Sequence, residues 1–467
     1  MLPTTIRGPP PRAYRDPSVT PPVTPAALLS QIDLNRSPWW DDAGPAEPRP
    51  ALAGERVVDV IIIGGGFTGL STAWHLLRRQ PSLGVALIEA RRLGNGASGR
   101  NGGQVLHWVN GVGTTEPELT RRVYEVTDRG IRQVETLAAE GPDDLGFTKG
   151  GALEVFTSES GAADAKAWVD RVASFGLDVR WLDGAEVAAR LGFKGAIGAT
   201  FDPHTGQVNG VRLCRALASR ATALGLQIFE ETPALRIVEG AQIEVYTPEG
   251  VLRAPKLVLA TNAYSHLLGY FGGAYVPMHS HMVGTAPLSP AERAAIGWTA
   301  LDGFTDDMDR IAYGARTATG RVVFGGGSNA AYAYQHGGPT AFAGDPSAGY
   351  AAVKRRLHEC LPGAAPTPIT HSWTGTLGVT LSRRPAFGVT GGHKNIFYGL
   401  GYSGHGVALS QVGGEIIADL VRGEPEPWAD LPFVNAGPGL WIPPDPFRWV
   451  GYQVFTTLTG RSPRVKR

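Results

Sequence analysis

The residues most suited to chemistry are Gly64-Gly65-Gly66-Phe67-Thr68-Gly69, a G-x-G-x-x-G spacing that cradles a dinucleotide pyrophosphate. Gly64 permits a tight turn, Gly66 lets the backbone approach the phosphates, and Gly69 lets a helix pack closely on a strand. Glu89 follows twenty residues after Gly69, the distance from which an acid reaches ribose hydroxyls. The elements that position these groups are legible around them. An apolar run, Val57 to Ile63, predicts a buried strand before the glycines. Leu70, Ala73, Trp74 and Leu77 recur at helical spacing after them, and Val85 to Ile88 predicts a second strand ending on Glu89. The helix between presents free N–H groups and its positive dipole end to the phosphates. A glycine turn alone is a weak signal in a chain with 63 glycines among 467 residues. The strand–turn–helix–strand frame is what carries it, and it leaves NAD and FAD both open.

The next stretch, Leu93-Gly94-Asn95-Gly96-Ala97-Ser98-Gly99-Arg100-Asn101-Gly102-Gly103, reads as a flexible loop able to pass close to a large planar ligand. A third glycine-rich turn lies near the other end: Gly401-Tyr402-Ser403-Gly404-His405-Gly406-Val407, between a strand-like run and a helical one with Val412, Ile416, Ile417 and Leu420. With Glu89-Ala90 and Arg383-Arg384-Pro385, these segments resemble the D-amino-acid-oxidase-like flavoproteins, which include sarcosine, glycine and γ-glutamylputrescine oxidases. The γ-glutamylputrescine-oxidase branch is the nearest in appearance, through Arg384-Pro385, Phe387-Gly388 and residues 402–406. The resemblance covers most of residues 56–425. It implies an α/β fold with a Rossmann-like FAD-binding domain, interwoven with a smaller, mainly antiparallel β-sheet plus helices that forms the substrate domain.

It also implies FAD as cofactor, with Ala234 beside the adenine half and Thr261 and Asn262 beside the cofactor. Gly401 and Ser403 to Val407 are implied to border the flavin ring and supply backbone donors where negative charge grows on reduction. The implied reaction removes hydride from the carbon next to nitrogen in a small amine or amino acid, delivers it to flavin N5, and leaves an imine for water to hydrolyse. O2 or another acceptor then takes the electrons, so the oxidase and an amino-acid or sarcosine dehydrogenase are both open. Two readings from other classes are an NAD(P)-linked dehydrogenase and a flavin-binding assembly protein without turnover. No metal is required, and the sequence shows no Cys-x-x-Cys, His-x-x-x-His or G-x-S-x-G pattern.

The side chains named for the site each have a plain alternative. His405 hydrogen-bonds the flavin or steers a proton, or else is a solvent-facing turn residue. Tyr402 lines the substrate pocket or packs in the core, and Trp373 forms an aromatic wall or packs likewise. Arg384 clamps a substrate carboxylate or makes a surface ion pair. Arg100 pairs with the pyrophosphate or with a backbone carbonyl, and Arg91 stacks near adenine or is solvated. His107 faces the flavin, or even carries a covalent link to it.

Composition sets the outer bounds. Lys plus Arg total 43 against 42 acids, so no basic field points to nucleic acid. No apolar run is long enough to span a bilayer, and the two cysteines, Cys214 and Cys360, make no disulfide framework, which fits a cytoplasmic protein. The expected organisation is a Pro-rich tail and docking segment (1–55), a discontinuous FAD domain (56–146, 200–270, 385–428), a substrate domain (147–199, 271–384) and a C-terminal extension (429–467). Trp39-Trp40-Asp41-Asp42 is expected to dock on the folded body, because adjacent indoles seldom remain in water.

Overall fold

The computed structural model describes residues 36–141, 144–301, 303–308, 310–328, 332–333, 346–444 and 446–458. Residues 1–35 of the expected Pro-rich tail and docking segment lie outside them.

The first layer is a six-stranded sheet. Its order is β3 (Gln227–Phe229), β2 (Val85–Ile88), β1 (Val60–Ile63), β4 (Lys256–Leu259) and β5 (Ile396–Leu400), all parallel, then an antiparallel edge, Ala386–Thr390. All four residues of β1 are buried because both faces of the sheet are covered. Val60 and Ile62 face helices, joining a core with Leu70, Leu77, Val412 and Ile416. Ile61 and Ile63 face the other way, into a core with Ile243, Val245 and Leu252 of a four-stranded sheet.

The expected strand from Val57 to Ile63 is divided. Val57 ends a separate strand, Gly54–Val57, that pairs with Gly250–Ala254 in the small sheet, and it is 70% exposed. The apolar run therefore serves two sheets, which hydropathy alone does not separate.

Six helices bear on the crevice and its surroundings: α1 (Pro38–Ala43), α2 (Phe67–Arg79), α3 (Pro117–Glu140), α4 (Gly210–Ala223), α5 (Val407–Arg422) and α6 (Phe447–Leu458). Helices α2 and α5 cross closely at Gly414. A Cβ there would lie 2.4 Å from Ser71 Oγ and 2.6 Å from the Thr72 nitrogen. The Ser71 hydroxyl donates to the Gln411 carbonyl at 2.7 Å, fixing the crossing.

The second layer is a nine-stranded, mainly antiparallel sheet. Val276–Thr285, Ala312–Arg316 and Val322–Gly326 are three of its strands. Trp298, Phe304, Phe324 and Leu357 fill its core. The chain moves between the two sheets repeatedly: β1 and β2, then Ala152–Phe156 and Gly198–Asp202, then β3 and β4, then Val276–Gly326 and Ile369–Val379, then β5. Cys214 and Cys360 are buried, unbonded thiols, and burial pushes both well above the usual thiol range. Among the described residues no helix is long and apolar enough to cross a membrane.

Candidate functional site

Chain connections leave β1 and β4 in opposite directions, so a crevice opens at their C-terminal ends. Gly64 turns the chain there at φ 112°, where a Cβ would lie 2.6 Å from the Ala260 carbonyl oxygen. Gly69 sits on the far side of the same turn, and a Cβ on it would lie 2.0 Å from the Gly64 carbonyl oxygen. Gly66 caps α2, whose N-terminus opens on the crevice. The Glu89 carboxylate accepts from the Gly65 N–H at 2.8 Å and the Arg91 N–H at 3.0 Å. Burial raises its pKa, against the downward pull of those two donors.

The glycine-rich loop expected to be flexible is instead tightly bonded. Ala97–Gly99 forms one 3-10 turn, and Ser98 Oγ accepts from the Phe67 N–H at 3.0 Å. Asn101 Nδ2 donates to the Ser98 carbonyl at 2.7 Å, and its Oδ1 accepts from Gly103 N–H at 2.7 Å. Helix α1 presses on this loop: Trp39, 2% exposed, donates from Nε1 to the Asn101 carbonyl at 2.8 Å. Arg100 is buried, its Nε donates to the Asn95 carbonyl at 2.6 Å, and it also borders the cavity. Arg91 pairs with Glu231 at 3.1 Å and does not border the cavity.

The third turn closes the crevice from above. The Asn262 side chain, on a residue at φ 40°, accepts from the Gly401 N–H at 3.1 Å. Asn110 Nδ2 donates to the Ser403 carbonyl at 3.1 Å, and His405 Nε2 hydrogen-bonds the His107 carbonyl. Ser403, Gly404, His405, Gly406 and Val407 all border the cavity at the start of α5.

These walls enclose one cavity of about 910 Å³. Gly64, Gly66, Phe67, Thr68, Glu89, Ala90, Gly96, Ala97, Ser98, Asn101, Gly102, Ala234, Thr261 and Asn262 border it as well. Gly69, Gly99, Gly103 and Gly401 shape its wall from behind without reaching it.

The side chains named for chemistry divide. His405 faces the cavity. Tyr402 touches it but is 8% exposed, and its hydroxyl shares a 2.7 Å hydrogen bond with Thr68 Oγ1 while its ring packs on Phe387. Trp373 is fully buried with Trp39 and Met282, its Nε1 donating to the Arg100 carbonyl at 3.0 Å, so it is a core residue and not a wall. Arg384 stops beside Gly111, outside the cavity. Its neighbour Arg383, exposed at φ 60°, borders the cavity in its place, because the positive φ turns the chain by one residue. His107 does not face the cavity either. It is fully buried, with Nδ1 2.7 Å from Asp202, Nε2 3.4 Å from Asp128, and its ring stacked 3.9 Å from Tyr124.

Other lining residues carry no signal in the sequence: Arg310, Tyr313, Ser280, Met278, Tyr264 and Leu377. Ser280 Oγ and Tyr313 Oη share a 2.9 Å hydrogen bond, and burial pushes the Tyr313 phenol up to about 12. In one sequence they are ordinary strand and loop residues, so only the pairing of strands reveals them. The α6 residues at the mouth, Arg448 and Tyr452, belong to the stretch expected as a C-terminal extension.

The site fits FAD by its own features: a turn at Gly64 with no room for a Cβ beside Ala260, an acid at the ribose distance, and a cavity continuing well past the nucleotide end. Comparison with known proteins agrees. A family profile described as FAD dependent oxidoreductase (DAO) matches residues 59–420. A probable oxidoreductase, OrdL, of Rhizobium meliloti (strain 1021) is 32% identical over 83% of this chain and 88% of its own. The gamma-glutamylputrescine oxidoreductase of Escherichia coli (strain K12) is 28% identical over 80% of this chain and 86% of its own. The crystal structure of glycine oxidase from Geobacillus kaustophilus superposes with a TM-score of 0.69 at 22% identity, covering 81% of this chain and 98% of that one. The crevice, the three glycine turns and these likenesses together make the chain a member of the FAD-dependent oxidoreductase (DAO) family, with FAD as its cofactor.

Proposed function

We propose that the chain oxidises a C–N bond of a small amine or amino acid, that water hydrolyses the resulting imine, and that O2 is the final electron acceptor. The observation that supports this is the continuity of one cavity from the glycine cradle at Gly64–Gly66 to a chamber bearing Arg310, Arg383 and the Ser280–Tyr313 pair. FAD held by the cradle supplies a two-electron acceptor for the hydride leaving the carbon next to nitrogen.

The chain's own groups do the rest. The N-terminus of α5, at Gly406 and Val407, turns its positive dipole end toward developing negative charge. The His107 carbonyl fixes the His405 ring at the cavity wall, so that its orientation is set before substrate arrives. Arg310 and Arg383 give a carboxylate-bearing substrate two guanidinium partners. Met278, Leu106 and Leu377 make an apolar wall that excludes water from the reacting carbon. The relatives named for γ-glutamylputrescine and for glycine support the amine reading. The buried free thiols of Cys214 and Cys360 support a cytoplasmic location.

The test is an anaerobic screen of amines and amino acids against the yellow protein. A substrate bleaches the flavin absorbance, and readmitted air restores it with uptake of O2. Bleaching by none of them overturns the reading; bleaching without O2 uptake assigns the electrons to another acceptor.

A further inference from the structure

The carbonyl of His107 meets His405 Nε2, and the chain on both sides of that carbonyl is braced. A carbonyl only accepts, so the hydrogen of the His405 ring sits on Nε2. The His107 side chain is buried between two carboxylates from different elements. Its Nδ1 lies 2.7 Å from Asp202, at the end of the strand Gly198–Asp202, and its Nε2 lies 3.4 Å from Asp128 on α3. Tyr124, one turn before Asp128, stacks on the ring. Asp202 is itself fixed, its other oxygen accepting from the His204 N–H at 3.0 Å, and Asp128 pairs with Arg132 at 2.6 Å. The next residue, Trp108, has a φ of 71° although it is not glycine. Its N–H donates to Thr127 Oγ1 at 3.3 Å, and its ring packs edge-on against Tyr124 and Trp168, which hold it in that conformation. Two residues further on, Asn110 Nδ2 donates to the Ser403 carbonyl, so this stretch grips the turn 403–405 at two points.

Neither device is a good source of stability. A buried ion cluster largely cancels its gain by desolvation, and a bulky residue in the left-handed region costs about 1–3 kcal/mol. Both lie beside the peptide group whose oxygen receives His405. We propose that His107 and Asp202 are positioning residues for His405, fixing its ring at the cavity wall as the Nε2–H tautomer. Nδ1 is then the ring atom that accepts a proton. This matters for the proposed amine oxidation, on which the role rests. A substrate ammonium must lose a proton before its nitrogen lone pair can form the C=N bond as hydride leaves the carbon. That proton passes from the substrate nitrogen to Nδ1. The imidazolium so formed keeps its Nε2–H on the His107 carbonyl, now as a charge-assisted bond. In the opposite tautomer Nδ1 would already carry the hydrogen, and the His107 carbonyl would face a lone pair.

The first test does not use turnover. Nitrogen NMR of the FAD-loaded full chain, made with isotope-labelled histidine, reports the tautomer of each ring, and the His405 signals are those lost in His405→Gln. His405 of the parent is expected wholly as Nε2–H. Asp202→Asn puts an amide against His107 Nδ1 and is expected to give a mixture of His405 tautomers. A mixed or Nδ1–H ring in the parent, or a pure Nε2–H ring in Asp202→Asn, overturns the proposal. The second test is a double-mutant cycle on the rate at which a substrate bleaches the flavin anaerobically. Asp202→Asn lowers that rate about 10- to 100-fold with KM little changed, and His405→Gln lowers it about 100-fold. In the His405→Gln background, Asp202→Asn changes the rate about twofold at most. Equal falls in the two backgrounds mark a general structural loss and overturn the proposal. Where Asp202→Asn is recovered without flavin, Asp128→Asn takes its place, with a smaller fall judged in the same way. If no substrate bleaches the flavin, the amine reading fails, and the tautomer result still decides the positioning.

Discussion

Single residues set the limits of this site. Gly64 has both a left-handed φ and no space for a Cβ. Gly64→Ala is expected to cost about 1–3 kcal/mol and to lower the flavin-to-protein ratio of the purified enzyme, read from its visible spectrum. A full flavin complement would show that the crevice gives way more easily than its 2.6 Å contact implies. At the other end of the cavity, Arg383→Ala should raise KM for carboxylated amines about 10- to 100-fold, the worth of a charge-assisted hydrogen bond, and spare uncharged amines. Arg384→Ala should leave KM unchanged for both. Equal losses on both substrate types would remove the clamp.

His107 gives a pH dependence. Burial alone pulls its pKa down, but hydrogen bonds and charge from Asp128 and Asp202 outweigh burial, and the net direction is up. A raised folded pKa means stability fully present below the unfolded value of roughly 6.5 and lost as pH rises through the folded value. Asp128 has the opposite sign: its hydrogen bond to His107 holds it low, so its contribution is lost as pH falls through that depressed value. Asp202→Asn should destabilise by about 3 kcal/mol and flatten the decline of melting temperature above neutral pH. An unchanged alkaline slope would mean His107 is neutral in the fold.

Among the elements, the α2–α5 crossing is the joint that aims both helix N-termini at one cavity. Gly414→Leu pushes the two apart at Ser71 and Thr72. The expected result is about 1–3 kcal/mol of lost stability, with faster flavin release on dilution than in the parent enzyme. Unaltered release at lowered stability would uncouple the crossing from the cradle. Elements with strong periodicity are legible in the sequence. Residues 116–140 predict a helix that forms over Pro117–Glu140, and 211–224 one that forms over Gly210–Ala223. Elements held by tertiary pairing are not. In Gly250–Ala254 only Gly250 carries a sequence signal, as the end of the turn Pro248-Glu249-Gly250, and Ile369–Val379 is anchored by Val276–Thr285 far away in sequence. The helix Pro290–Ile296 is signalled by its Ser289–Glu292 capping box and by little else, being too short for periodicity to show. At the site, residues bound to backbone geometry are legible from glycine spacing. The choice between Arg383 and Arg384 is not, since it rests on one positive φ.

The whole molecule is organised around a cavity to which both sheets contribute. Bound FAD therefore stabilises both layers at once. Removing FAD should lower the melting temperature as a single transition, and FAD at about a thousand times its dissociation constant should restore about 4 kcal/mol. Two separate transitions, with only one responding to FAD, would mean that the layers melt independently. The order in which the cavity walls occur along the chain has a consequence for biogenesis. Its first wall is at Ile63 and another is at Val407, and α1 waits on residues as distant as Asn209 and Arg321 for its anchors. A nascent polypeptide still short of its fifth hundred residues has no complete place for the flavin. Capture of the cofactor thus waits until Val407 and the wall residues after it have been made, and flavin supply acts on a chain whose earlier walls already stand.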